Sequence, residues 1–247
     1  MGRVAGIRLT DTAPSLEQLE AALAASPARE LGHGYQATTR LVTTPFGEVV
    51  VKSPHRGMLA GLWGYFLRRE RSVYEQLGGI TGIPHAYGLV DGDALALEYI
   101  AGPSLREQDS RLQDRERFFA RLLDTVQAMH AAGVAHGDLK RKHNVIVGAD
   151  EQPYVIDFGI ACRRDARDGL WNRWVFATLR QMDLNAWLKL KYGRRVDPVA
   201  EPGVLSEADA ALYRPLLIER LARAVRVPWQ KITLRRPRQR WRARRKR

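Results

Sequence analysis

Cysteine is nearly missing from this chain, since Cys162 stands alone among 247 residues. That excludes structural disulfides within the chain and a cysteine-rich metal centre, and it fits a reducing compartment. Long apolar runs are missing too. No stretch reaches the roughly 18 uncharged apolar residues of a membrane span, and Met1 to Ser15 lacks the apolar core of a signal peptide. The expectation is a cytoplasmic protein. No internal repeat is present, and the pattern Gly-x-x-x-x-Gly-Lys-Ser/Thr does not occur, which excludes that way of cradling phosphates. What is left is a chain that is 45% hydrophobic, long enough for one substantial core or two lobes sharing a cleft.

Against these absences stands His136-Gly137-Asp138-Leu139-Lys140-Arg141-Lys142-His143-Asn144, with Asp157-Phe158-Gly159 beginning 13 residues after it. Two carboxylates, an amide and a lysine thus fall on neighbouring loops. Moving a phosphoryl group needs a side chain to orient the acceptor hydroxyl, ligands to hold Mg²⁺ on the phosphates, and a cation against the developing charge. Asp138, Asn144 with Asp157, and Lys140 match those roles in turn. At this point the chain resembles the protein-kinase-like superfamily, whose catalytic loop reads His-x-Asp followed by an Asn and whose metal loop reads Asp-Phe-Gly. The resemblance implies an α+β, two-lobed protein-kinase-like fold, with a C-terminal lobe trimmed to suit the short chain. It also implies ATP and Mg²⁺ as cofactors, with Asp138 and Lys140 catalytic and Asp157 and Asn144 on the metal.

The resemblance extends upstream. Gly47-Glu48-Val49-Val50-Val51-Lys52 reads as a turn into a β-branched strand ending in a lysine, the place of the family's lysine on the α- and β-phosphates. Glu70 follows 18 residues later in a helical segment, Arg68 to Leu77, stopped by Gly78-Gly79. It matches the helix glutamate that holds that lysine. Glu75 competes, but Glu70 leaves Val73, Tyr74 and Leu77 one turn along as a packing face. Leu31-Gly32-His33-Gly34-Tyr35-Gln36-Ala37 resembles a degenerate glycine-rich loop in which Gly32 and Gly34 would let backbone approach phosphates. Glu98-Tyr99-Ile100-Ala101-Gly102 resembles the hinge between lobes, where main-chain groups would meet adenine.

Two departures narrow the branch. In most of the superfamily the loop Asn follows the Asp by five positions, whereas here His143 takes that place and Asn144 comes one later. Either Asn144 reaches the metal through a one-residue bulge, or His143 lines the site and Asn144 braces the loop. The extra residue is also seen in bacterial lipopolysaccharide-core (heptose/Kdo) kinases, and the chain is most similar to them. No Ala-Pro-Glu triplet closes an activation segment, so the platform for an extended peptide is in doubt. Lys140, two positions after the Asp, is where kinases acting on Ser/Thr carry a lysine. Three functions therefore stay open: a kinase of a sugar hydroxyl on an envelope glycolipid, a small Ser/Thr protein kinase, and a nucleotide-binding scaffold without catalysis.

The remaining pattern places the elements. Ser15…Gln18 predicts a capped helix over Ser15–Ala25, strands follow around 37–42 and 47–52, and 59–77 is helical. Tyr87–Val90 and Ala94–Tyr99 read as a hairpin turned at Asp91-Gly92-Asp93. A long helix, Leu112 to Ala132, shows a Ser110…Gln113 cap pattern and a face of Phe119, Leu122, Leu123, Val126 and Met129. Val145–Val147 and Tyr154–Ile156 form a hairpin that presents Asp157. Asp183 either caps a helix or marks one braced against the catalytic loop. The division predicted is 1–30 as an extension, 31–100 and 101–234 as lobes, and 235–247 as a tail. Nine of the thirteen residues in that tail are Lys or Arg, with Trp241 among them, in a chain of net charge +13. Three readings compete for the tail: a solvated end, an anchor on an anionic membrane surface, and non-specific nucleic-acid contact, the last disfavoured. The apolar run Met58 to Leu67, flanked by Arg56 and Arg68-Arg69, is a buried helix or, if partly exposed, a second membrane contact.

Overall fold

The computed structural model describes residues 14–33, 37–57, 60–164, 169–194, 196, 201 and 203–215. The chain divides into a unit spanning 1–195 and a second spanning 196–247. In the second, the described element is α6 (Glu207–Leu212), capped by Ser206 Oγ, which accepts from Asp209 N–H at 3.1 Å.

The first unit opens with α1 (Leu16–Ala25), whose start is the capping box the sequence predicts. Ser15 Oγ accepts from Gln18 N–H at 3.2 Å and Gln18 Oε1 accepts from Ser15 N–H at 3.0 Å. Five antiparallel strands follow in the order β1-β2-β3-β5-β4: β1 (Ala28–His33), β2 (Ala37–Thr44), β3 (Gly47–Pro54), β4 (Ala86–Val90) and β5 (Ala94–Glu98). Alternation along β3 sorts its side chains. Val49 and Val51 are buried with Val42, Val90, Ala94, Ala96 and Leu19 of α1, while Val50 and Lys52 face a cleft on the other side. The strand thus carries a core with one face and a functional lysine with the other.

Between β3 and β4 runs α2 (Ala60–Gln76), which buries Gly64, Leu67, Glu70, Val73 and Tyr74. The helix matches the 59–77 helical region read from sequence. Within the apolar run that begins it, Leu62 and Tyr65 are exposed while Leu67 is buried, and Met58 and Leu59 lie outside the described residues.

After β5 the chain becomes mostly helical. The elements are α3 (Leu105–Gln108), α4 (Arg115–Ala131), the short strands β6 (Val134–Ala135), β7 (Val145–Val147), β8 (Pro153–Val155) and β9 (Cys162–Arg163), and α5 (Leu170–Lys191). Phe118, Phe119, Leu122, Val126 and Met129 of α4 are fully buried, each worth about 1.5–3 kcal/mol of burial. Leu123 is only half-buried and Phe118 takes its place on the inner face. The expected start of α4 at Leu112 with a Ser110 cap is corrected to Arg115 capped by Asp114, whose Oδ1 accepts from Arg117 N–H at 2.9 Å. The cause is distant in sequence. Glu151 accepts from Gln113 N–H at 2.6 Å and Asp114 N–H at 3.0 Å, holding the chain outside the helix there. Residues 105–111 form their own short turn, begun by Glu107, which accepts from both Ser104 N–H and Ser104 Oγ at 3.0 Å. The architecture is the mixed α/β, kinase-like fold expected from sequence, a five-stranded antiparallel sheet joined to helices.

Candidate active site

Lys52 is the centre of the cleft. Its Nζ donates to Glu70 Oε1 at 2.6 Å and to Asp157 Oδ1 at 3.3 Å, so β3, α2 and the Asp-Phe-Gly loop meet at one ammonium. Burial alone would lower the Lys52 pKa, but Glu70 and then Tyr74 and Asp157 outweigh it and hold the group above its ordinary value. The favoured glutamate is the one paired. Glu75, the competitor, instead pairs with Arg71 on the outer face of α2 at 2.7 Å.

Asp157 has a backbone φ of +69°, a left-handed conformation that an aspartate tolerates better than most residues. Two contacts hold it there. Tyr74 Oη accepts from Asp157 N–H at 3.3 Å, and the Tyr74 ring meets Phe158 edge-on with centroids 4.9 Å apart. Phe158 in turn lies 5.0 Å from the His136 ring. Burial raises the Tyr74 pKa and keeps it a neutral phenol. For Asp157, burial pushes the carboxyl pKa upward, yet the ammonium of Lys52 prevails and holds it below the usual aspartate range.

The catalytic-loop candidate is fixed from below by α5. Asp183, buried inside that helix, accepts from His136 N–H at 2.7 Å, from Gly137 N–H at 2.8 Å, and lies 3.2 Å from His130 Nε2. Of the two readings of Asp183, the brace is the one present, and the helix-cap reading is corrected. Gly137 has φ +78°, a conformation that favours glycine, and a Cβ there would crowd the Leu179 side chain at 3.3 Å. The loop then presents Asp138, with Arg141 Nε 2.9 Å from Oδ2 and Lys140 Nζ 3.8 Å from Oδ1. Both cations are more than half exposed while Asp138 is buried. Arg141 also lines the cleft, and in the sequence nothing but proximity to Asp138 marks it.

Both residues at the longer loop border the cleft. Asn144 is buried, and its Nδ2 donates to the Asp138 carbonyl at 3.2 Å, which braces the loop and leaves the amide oxygen as its acceptor end. His143 lies beside Arg106 of α3, Nε2 to Nη1 at 3.0 Å. Because a guanidinium only donates, Nε2 is the accepting nitrogen in that contact. Lys142 and Arg115 both ion-pair with Asp109, tying the loop to the turn after α3. Among the described residues no three His, Cys, Asp or Glu side chains gather to ligate a metal alone. A carboxylate and an amide oxygen do fit the way Mg²⁺ is held beside phosphates, by few protein oxygens.

The cleft encloses about 790 Å³ and is lined by Leu31, Ala37, Val50, Lys52 and Leu97 on the sheet side and Asp138, Asn144, Ile146 and Asp157 opposite. That is within the range of small-ligand and cofactor sites. Glu98, Tyr99 and Ile100 line it too, but the Glu98 side chain is committed elsewhere. Its carboxylate accepts from His85 N–H at 2.9 Å, and its own N–H donates to His85 O at 2.8 Å. Just beyond, a Cβ on Gly102 would lie 2.0 Å from the Val147 carbonyl oxygen, so the connecting segment packs directly on β7. Gly32 does not begin a loop. It pairs with Thr39 as part of β1, with the register shifted between Glu30 and Gly32. Gly34 lies outside the described residues.

No protein-family model matches the chain. Sequence similarity does connect it with named kinases. It is 30% identical over 165 residues to probable serine/threonine-protein kinase PkwA of Thermomonospora curvata, covering 62% of this chain and 21% of that one. It is 33% identical over 96 residues to serine/threonine-protein kinase D of Synechocystis sp., covering 37% and 19%. With serine/threonine-protein kinase chk1 of Schizosaccharomyces pombe it shares 28% over 147 residues, 54% and 29% of the two chains. The aligned part thus spans between a fifth and under a third of these relatives' lengths. The similarity is weak and partial, and it supports a protein-kinase-like superfamily.

Proposed function

We propose that the protein is an ATP-dependent phosphotransferase that moves the γ-phosphoryl group to a hydroxyl acceptor. The observation that carries the reading is Lys52 bridging Glu70 and Asp157 across a cleft whose facing wall holds Asp138 and Asn144. Named kinases among the relatives support the same reaction class. A non-catalytic scaffold is disfavoured because every charged group the chemistry asks for is present.

In this mechanism Lys52, held by Glu70, positions the α- and β-phosphates, and the Glu98–Ile100 segment borders the adenine. Asp157 and Asn144 would hold Mg²⁺, which would supply positive charge against the phosphates. Asp138 orients the acceptor hydroxyl and takes its proton as the new P–O bond forms and the bond to the departing β-phosphate oxygen breaks. Lys140 offsets charge on the group in transit. Arg141 must give up part of its hold on Asp138 for the hydroxyl to reach Oδ2. Positioning and electrostatics supply most of the rate gain. The working division is a lobe over 31–100 and another over 101–234, with an extension at 1–30 and a tail at 235–247.

For the acceptor we favour a sugar hydroxyl of lipopolysaccharide or a related envelope glycolipid. The longer catalytic loop, the missing Ala-Pro-Glu and the basic tail support that choice, and peripheral attachment to an anionic inner-membrane surface would follow. A Ser/Thr side chain of a protein is the second reading, favoured by Lys140 and by the names of the relatives. No helix among the described residues is long and apolar enough to cross a membrane. The test is transfer from γ-labelled ATP with Mg²⁺ into a bacterial envelope extract, split into lipid and protein fractions, beside Asp138→Ala. Label in glycolipid that the variant lacks supports the sugar acceptor, and variant-sensitive label in protein moves the assignment to a Ser/Thr kinase. ATP binding with no transfer into either fraction would overturn the envelope-acceptor reading.

A further inference from the structure

The helix α5 is apolar on both sides. Its inner face is already used, with Val175, Phe176 and Leu179 packed on Ala135 and Cys162 beneath the catalytic loop. Its outer face carries Leu170, Trp171 and Trp174, exposed to 85%, 74% and 53%. The two indoles stack on each other with centroids 5.2 Å apart. Arg173 and Arg180 are exposed on the same part of the helix, and no acidic residue occurs between Gly169 and Met182. A contiguous exposed apolar stripe of this size marks an interaction surface more often than chance.

We propose that the Leu170–Trp171–Trp174 stripe, flanked by Arg173 and Arg180, docks the protein on an anionic lipid surface. Charge complementarity selects the partner. From Ile160 to Met182 the chain holds five arginines against two aspartates, the balance of an interfacial helix that places aromatics in the headgroup region and guanidinium groups on lipid phosphates. Single-stranded nucleic acid would want free ring faces to stack on. Here Trp171 and Trp174 already occupy each other, and the most exposed member of the stripe is aliphatic.

The stripe is joined to the chemistry through short links. Asn172 Nδ2 donates to the Arg163 carbonyl at 3.2 Å, fixing the first turn of α5 to β9. In turn β9 pairs with β6, which leads directly into His136. Ile160, which borders the cleft, is itself 55% exposed. A protein seated by this face would therefore hold the loop bearing Asp138 in a fixed relation to the lipid surface. This deepens the reading of a membrane-borne acceptor and rests on it, while the binding itself is measured without any transfer.

The experiment compares the full chain with Trp171→Ser/Trp174→Ser and with Arg173→Glu/Arg180→Glu. Each is tested for co-sedimentation with phosphatidylcholine vesicles made with and without phosphatidylglycerol, and for tryptophan quenching by brominated lipid. The wild type is expected to bind the anionic vesicles and be quenched. Both variants should partition at least about tenfold more weakly. Mg²⁺-ATP binding, read on the same samples, should be unchanged and shows that the cleft is folded. Leu170→Ser, a milder change, should weaken partitioning in the same direction. Equal partitioning of wild type and both double variants would overturn the proposal. So would a wild type that ignores vesicles but binds an oligonucleotide, or one whose double tryptophan variant changes only self-association. None of these outcomes touches the phosphotransferase reading, which is tested separately by transfer from γ-labelled ATP.

Discussion

Lys52 favours the ionised form of the carboxyl across the cleft from it. Asp157 is half-exposed, yet its carboxyl is held below the ordinary value of 3.8 because the Lys52 ammonium outweighs partial burial. The folded value lies below the unfolded one, so the pair's stabilisation is present above the unfolded value and lost as pH falls through the folded one. Lys52→Met should therefore move the Asp157 titration midpoint upward, measured by carboxyl NMR, and an unmoved midpoint would dissolve the pair. The two aspartates should also fail differently. Asp138→Ala should retain Mg²⁺-dependent ATP binding and lose transfer by about a hundredfold or more, whereas Asp157→Ala should lose the Mg²⁺ dependence of binding itself. Filter binding beside a transfer assay separates them, and wild-type transfer by Asp138→Ala would remove its proposed role. These residues were legible in sequence because they recur at fixed spacings on strand, helix and loop. Arg141 and Tyr74 were not assigned site contacts, since nothing local says that a guanidinium folds back on Asp138 or that a phenol accepts from the Asp157 amide.

At the scale of elements, several local codes match the structure, although the Ser110…Gln113 cap pattern does not and the Ser104–Glu107 capping box was not anticipated. The capping box at Ser15, the turn at Asp91-Gly92-Asp93 and the alternation of β3 all appear close to where the pattern put them. The start of α4 was misplaced because Glu151, 38 positions from Gln113, supplies the acceptor that ends the preceding turn. Residues 31–33 close β1 instead of opening a loop: glycines at 32 and 34 resemble a phosphate loop, while the pairing of β1 with β2 depends on partners up to 14 positions apart, as in Ala28 with Val42. Asp183 is the hardest case. A buried carboxylate in mid-helix is unfavourable by propensity, and the two loop N–H groups, with His130 Nε2 3.2 Å away, offset that cost. Asp183→Ala would leave both N–H groups buried without their acceptor. The expected cost is roughly 3 kcal/mol, at 1–3 kcal/mol for each unsatisfied group, with a transfer rate that falls further than ATP affinity. Urea denaturation checks the first, and a variant as stable as wild type would show that water or another acceptor replaces the carboxylate.

Charge is the property that belongs to the whole molecule. The net +13 is unevenly placed, with nine cations in the last thirteen positions, outside the described residues. A cation near an anionic membrane gains about 1 kcal/mol, and screening confines that gain to about 8 Å at physiological salt. On the proposed reading the tail would act only when something else brings the body to the surface, and the exposed stripe on α5 is the part of the first unit proposed to do so. Deleting residues 235–247 should reduce partitioning to phosphatidylglycerol vesicles by about tenfold or more, with a larger loss at low salt, and leave ATP binding unchanged. The same deletion should hardly alter quenching by brominated lipid of whatever protein remains bound, because insertion is assigned to Trp171 and Trp174 while the tail would add only short-range attraction at the surface. Equal vesicle binding with and without the tail would show that its charges serve some other purpose, such as keeping the chain in solution.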